Sequence, residues 1–228
     1  MQSSPDLLIV TVRGSTEPQS GSRLLIPIAR TVMRQYPGSS RVRELTYPAS
    51  FVSFSTEHPA RLDLGISPHI GVRNLIAELN EESRHSPRQQ YVLLGWSQGA
   101  QVITDALVPA DQRIAGQQAG ALDAPIGGRI RAIALFGNPA FTAGEPFNAG
   151  TFAPTIDGIT PRRRGALAEY QSRLRDYCAA GDVAAQDAPG STVDGHVSYF
   201  HNGMPADAAR FILDRLMQPT GRQRSLSR

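Results

Sequence analysis

The chain has 228 residues, 40% of them apolar and 19% charged, an ordinary globular composition that excludes wholesale disorder. All 23 basic residues are Arg, which excludes chemistry that needs a lysine, whether a P-loop, a Schiff base or an amine nucleophile. The net charge of +3 is mild, and no apolar run approaches the length of a membrane-spanning helix. In chain order, Leu7–Val12 reads as a buried strand, apolar apart from Thr11. Residues 21–36 place Leu24, Leu25, Ile28 and Val32 on one helical face, closed by Pro37 and Gly38. Residues 42–47 read as a second strand. Ser67–His85 carries Val72, Leu75, Ile76 and Leu79 at i, i+3, i+4 and i+7, the stripe of an amphipathic helix. Residues 91–94 read as a strand and residues 98–108 as a helix. Ile130–Phe136 is another buried strand, bounded by Gly128 and Gly137, and Leu174–Cys178 is strand-like. Residues 207–217 form a last helix with Ala208, Phe211, Ile212 and Leu216 inward.

Strands and helices that alternate, with strands apolar on both faces, imply class α/β: a three-layer α/β/α sandwich around a central, mainly parallel sheet. One domain is expected over residues 1–218, followed by a polar tail over 219–228. Residues 139–164, rich in Gly, Pro and Thr, read as a long surface loop. The run Arg162-Arg163-Arg164 within it is too short and too poor in aromatics for nucleic-acid binding and reads as solvated. The first six residues show no basic stretch followed by an apolar one. A secretory signal is therefore expected to have been removed or never present. The single cysteine, Cys178, excludes an internal disulfide and reads as an apolar filler or a reactive thiol. The five His residues have no metal-ligand spacing, so neither metal nor cofactor is expected.

The chemistry centres on Gly95-Trp96-Ser97-Gln98-Gly99, a G-x-S-x-G pentapeptide. Alone it is a weak signal, but here it lies between a strand and a helix. Such a turn exposes a nucleophilic hydroxyl above the sheet and sets it at a helix N-terminus, which favours developing negative charge. For this topology the acid and then the base follow the serine, which removes His58, His69 and His85. His196 and His201 remain, with His196 in a loop before the last helix, the better placed base. Among the acids, Asp182 stands at the C-terminal edge of a strand, where catalytic groups gather in parallel sheets. Asp176 would lie within that strand, and Asp187 and Asp194 lie in turn-like surroundings. The loop after the first strand, Arg13-Gly14-Ser15-Thr16-Glu17, offers donors to the same site, so Ser15 and the Gln98 backbone N–H are candidates for an oxyanion hole.

These segments, with Leu135-Phe136-Gly137-Asn138-Pro139, Tyr177-Cys178-Ala179-Ala180-Gly181-Asp182 and His196-Val197-Ser198-Tyr199, resemble the cutinase family of serine esterases, in particular its actinobacterial members. The resemblance implies a small, generally lidless α/β-hydrolase with Ser97 as nucleophile, His196 as base, Asp182 orienting it, and Ser15 and Gln98 at the oxyanion hole. It implies hydrolysis of a lipid, polyester or cell-envelope ester by a monomer through an acyl-enzyme, with no nucleic-acid partner. The family ties its loops with disulfides, whereas here Ala185 stands where a partner for Cys178 is expected, and Ser4 and Ser86 replace another pair. That departure implies folding in reducing conditions, against the secretion usual in the family. It is similar in this to phage lysins of the family that cleave mycolyl esters, although their insert between acid and base is absent. Acyl transfer by the same three residues and a catalytically silent envelope protein are the other readings.

Overall fold

The computed structural model describes residues 5–51, 53–54 and 62–218. The tail 219–228, Ser4, His58 and part of the loop at 48–68 lie outside the described residues. In chain order the strands are β1 (Leu7–Val12), β2 (Ser40–Glu44), β3 (Ser53–Phe54), β4 (Leu62–Asp63), β5 (Gln90–Trp96), β6 (Ile130–Phe136), β7 (Asn148–Gly150) and β8 (Leu174–Cys178). The helices are α1 (Leu25–Gln35), α2 (Ser67–His85), α3 (Gln98–Leu107), α4 (Ala124–Arg129), α5 (Val193–Val197) and α6 (Met204–Met217). Six strands form one sheet in the order β2-β1-β5-β6-β8-β7, with every pairing parallel. The strands β3 and β4 form a separate antiparallel pair.

The apolar runs explain the layering. In β1, Leu8, Val10 and Val12 point to one face, where they join Val72, Leu75 and Leu79 of α2 and Val102, Ile103 and Ala106 of α3. Leu7 and Ile9 point to the other, with Leu25, Ile28 and Val32 of α1 and Ala208, Phe211 and Ile212 of α6. All six β1 side chains are buried, as a strand covered on both faces requires. Each fully buried Leu or Ile contributes about 2 kcal/mol.

Parallel pairing also puts the loops that leave β1, β5, β6 and β8 along one edge of the sheet, because these four strands are successive neighbours. Those loops carry Ser15, Ser97, Asn138 and Asp182. Helix α4 feeds directly into the opposite, N-terminal end of β6.

Several boundaries differ from the sequence reading. The strand expected at 42–47 is Ser40–Glu44, because its ladder with β1 runs from Leu7↔Ser40 to Thr11↔Glu44. Leu45 and Tyr47 are buried beyond the ladder, which mimics strand patterning. The helix expected from residue 21 begins at Leu25, whose N–H donates to Ser22 Oγ. The last helix starts one turn early, at Met204, since Pro205 is tolerated in a first turn. Residues 139–164 are not merely a surface loop. They contain the edge strand β7, and Phe141 and Ala143 pack with Cys178 and Ala185. Arg162 is not solvated either: its guanidinium is buried and paired with Asp105 at 2.8 Å.

Candidate active site

Ser97 connects β5 to α3 with φ 55° and ψ −124°, a conformation that costs a non-glycine residue about 1–3 kcal/mol. The flanking glycines explain why the chain can turn there. A Cβ on Gly99 would stand 2.0 Å from the Val12 carbonyl oxygen, and one on Gly95 would stand 2.8 Å from Ala100 Cα. Any side chain at either position would push α3 off the sheet. The Ser97 N–H donates to the Phe136 carbonyl at 2.8 Å, tying the turn to β6.

His196 lies in the last turn of α5, not in a loop as expected, with Nε2 2.9 Å from Ser97 Oγ and Nδ1 2.7 Å from Asp182 Oδ1. Trp96 stacks against its ring at 5.8 Å and meets Phe200 edge-on at 5.0 Å. Asp182 is fully buried beyond the end of β8. Its Oδ1 also accepts the N–H groups of Ala184 (2.7 Å) and Ala185 (3.1 Å), and its Oδ2 accepts the Tyr199 hydroxyl at 2.6 Å. Burial pushes the Asp182 carboxyl up. The charge and hydrogen bond of His196, with the Tyr199 and Ala184 donors, outweigh it and hold the group below its ordinary value. Gly137, at φ +56°, closes the arrangement from the β6 side: a Cβ there would lie 2.9 Å from both Asp182 Oδ2 and His196 Cε1.

On the other side of Ser97, the Gln98 side chain is fully buried and organises the loop after β1. Ser67 Oγ accepts the Ser50 N–H at 3.1 Å and donates to Gln98 Oε1 at 2.7 Å. That bond fixes the amide, so Gln98 Nε2 donates to the Ser50 carbonyl (2.8 Å) and to Ser15 Oγ (3.1 Å). With its oxygen accepting, the Ser15 hydroxyl is free to donate elsewhere. The Gln98 backbone N–H is the first of α3 and has no acceptor within the helix. Arg13, buried, donates to the carbonyls of Glu17, Leu45, Tyr47 and Pro48 and locks this loop to the next.

Ser15 and Ser97 open on one cleft of about 350 Å³, also lined by Thr16, Phe51, Trp96, Ile159, Val183, Ala184, Val193, His196 and Val197. It is chiefly apolar, with Phe51 and Val193 exposed. A hydroxyl held against an imidazole that is held against a buried carboxylate is an arrangement for drawing a proton from the serine.

The sequence candidates thus separate. Ser97, His196 and Asp182 meet, and Ser15 joins them through Gln98. His201, Asp187 and Asp194 are exposed, and Asp176 lies buried within β8, hydrogen-bonded to Asn138. Among the described residues no three metal-ligating side chains cluster. Sequence reasoning missed the contacts of Gly137, Tyr199 and Ser67. Gly137 and Tyr199 stand in segments that carried the family resemblance, but nothing in their spacing announces which atom they touch.

Comparisons with known proteins bear on the family and the fold. A family profile described as cutinase matches residues 3–216. The chain is 29% identical to Cutinase 11 of Verticillium dahliae over 79% of its own length and 60% of that protein. It is 28% identical to Carboxylesterase Culp1 of Mycobacterium tuberculosis over 72% of its length and 64% of the relative. It therefore spans less than two thirds of these curated relatives. In fold it is similar to the catalytic core domain of an acetyl xylan esterase from Trichoderma reesei, with a TM-score of 0.73 and 24% identity, covering 92% of this chain and 98% of that one.

Proposed function

The chain belongs to the cutinase family, and from that premise we propose that it is a serine carboxylester hydrolase with Ser97 as nucleophile. The observation that carries the reading is the continuous path from Ser97 Oγ through His196 to Asp182, with both links under 3 Å. In this mechanism His196 Nε2 takes the Ser97 proton as Oγ attacks the ester carbonyl. Asp182 keeps Nδ1 protonated and stabilises the imidazolium that forms. The tetrahedral oxyanion accepts from the Gln98 backbone N–H and from the Ser15 hydroxyl, each donor contributing about 3–4 kcal/mol in the transition state. His196 then gives its proton to the departing alcohol. A water deprotonated by the same imidazole cleaves the acyl-enzyme.

The substrate in this reading is an ester whose acyl chain lies in the apolar cleft, with Phe51 and Val193 at its exposed rim. The name shared among the relatives, esterase or cutinase, is consistent with a carboxylic ester. Hydrolysis of a short-chain nitrophenyl ester by wild type and Ser97→Ala tests the proposal. The rate should fall by at least about 10³-fold, and a fluorophosphonate should label wild type alone. Equal rates for the two proteins would end this reading.

A further inference from the structure

From the bond pattern around Asp182 we propose that Tyr199 is a positioning residue for the reaction: its phenol holds the second oxygen of the carboxylate so that the first stays aimed at His196. The inference rests on the esterase reading above and extends it to a residue that touches neither the substrate nor Ser97.

The direction of each bond follows from the atoms. The Tyr199 oxygen already accepts the Ala179 N–H at 2.9 Å, and an ionised carboxylate has no proton to give. The phenol proton therefore goes to Asp182 Oδ2, at 2.6 Å. The Oδ1 atom has three donors: Ala184 N–H, Ala185 N–H and His196 Nδ1–H. Both residues are fully buried, so solvent does not stand in for the phenol. Tyr199 is itself fixed by Phe136, edge-on at 5.9 Å.

The spacing gives the device its coherence. His196 and Tyr199 are three residues apart on consecutive short helical turns, 193–197 and 198–200. One segment thus grips both oxygens of one carboxylate, and the side chain cannot rotate without breaking a bond to that segment. The phenol also draws charge from the carboxylate, which limits how strongly Asp182 stabilises a protonated His196. Cys178 and Asp176 of β8 feel the Asp182 charge from the sheet side and make their own hydrogen bonds elsewhere.

Two full-length variants test this through the pH dependence of kcat/KM with a short-chain nitrophenyl ester. Tyr199→Phe removes the donor. The carboxylate then stabilises the imidazolium more strongly, so the acid limb should move up by about half a pH unit. The plateau kcat should fall several-fold with KM nearly unchanged. Replacing Tyr199 by 3-fluorotyrosine keeps the shape and strengthens the donor, so the limb should move down. This second variant carries the test if Tyr199→Phe fails to fold. A purely structural tyrosine would lower Tm and activity and leave the limb where it is. Limbs that coincide with wild type in the folded variants would overturn the proposal. Ser97→Ala, assayed alongside, separates the two failures: if it remains active the esterase reading falls, and if it is inactive while the limbs coincide, only the role of Tyr199 falls.

Discussion

Asp176 and Asp182 are six residues apart, one inside β8 and one just past its end, and their carboxyl groups are shifted in opposite directions. Asp182 is held below its ordinary value, whereas burial pushes Asp176 up to about 7. Burial is the largest influence on both and raises both. The sign is decided by what else touches the oxygens. Asp182 has four donors, one of them an imidazole that can carry a positive charge. Asp176 has the Asn138 side chain on Oδ2 and, among the described residues, no hydrogen-bond partner on Oδ1. Linkage makes these opposite stability statements. The Asp182 bonds stabilise the fold above the ordinary carboxylate range and are lost as the pH falls through its lowered value. Ionised Asp176 costs stability, and that cost grows as the pH rises from the ordinary range to about 7. One aspartate is held charged, and its neighbour is easiest to bury with its proton on.

The sharpest way to break the contrast is to remove the charge from each in turn. Asp182→Asn keeps an oxygen where Ala184, Ala185 and His196 need an acceptor, so the imidazole tautomer is retained. What is lost is the negative charge facing the imidazolium, together with the acceptor for the Tyr199 hydroxyl at the Oδ2 position. The expected loss in kcat/KM is about 10³-fold, and the acid limb should move to lower pH because His196 is protonated less readily. A loss under tenfold would mean that the carboxylate charge is not what Asp182 contributes.

Both aspartates were visible as candidates in the sequence, and the reason for preferring Asp182 was positional: the edge of a parallel sheet. That logic reached the main features, because they follow from periodicity and from chain order. The strand and helix around Ser97 show as apolar runs, and His196 and Asp182 follow in the required sequence. What was not legible depends on atoms meeting across the fold. Strand β7, Asn-Ala-Gly, is too short and too polar to show any alternation, so its segment passed for a loop. Arg162 looked solvated because nothing local reveals Asp105, 57 residues away. Tyr199 and Gly137 carry no signal in themselves, since any buried tyrosine or turn glycine would read the same way.

Gly137 sharpens the comparison because it joins the two aspartates. A Cβ at this position would meet Asp182 and His196, and the residue precedes Asn138, which bonds Asp176. Gly137→Ala forces a left-handed backbone on a residue with a Cβ, at about 1–2 kcal/mol. It also puts that Cβ against Asp182 Oδ2 and His196 Cε1. Displacement of the reacting pair by a fraction of an ångström should lower kcat/KM by about 10²-fold. Circular dichroism and Tm would show the fold retained, with KM changed much less than kcat. A rate near wild type would show that the Asp182–His196 pair tolerates movement from the β6 side.

Asp176→Asn carries the smallest effect on activity and tests the other half of the contrast. Asparagine presents a donor where protonated Asp176 would have its O–H, so it imitates the low-pH form of the wild type. Activity should stay within about threefold, since Asp176 touches neither Ser97 nor its partners. Stability should depend on pH in a defined way. At pH 8 the wild type bears the cost of an ionised Asp176 and the variant does not, so the variant should gain stability, read as a Tm higher by several degrees. At pH 5 the gain should be clearly smaller, because the cost of the raised carboxyl builds only between its ordinary value and about 7. Equal Tm differences at both values would show that Asp176 finds a compensating partner when charged. Arg162 lines the same pocket and its charge lowers the Asp176 carboxyl, so Arg162→Gln made alone and together with Asp176→Asn would then separate the two contributions.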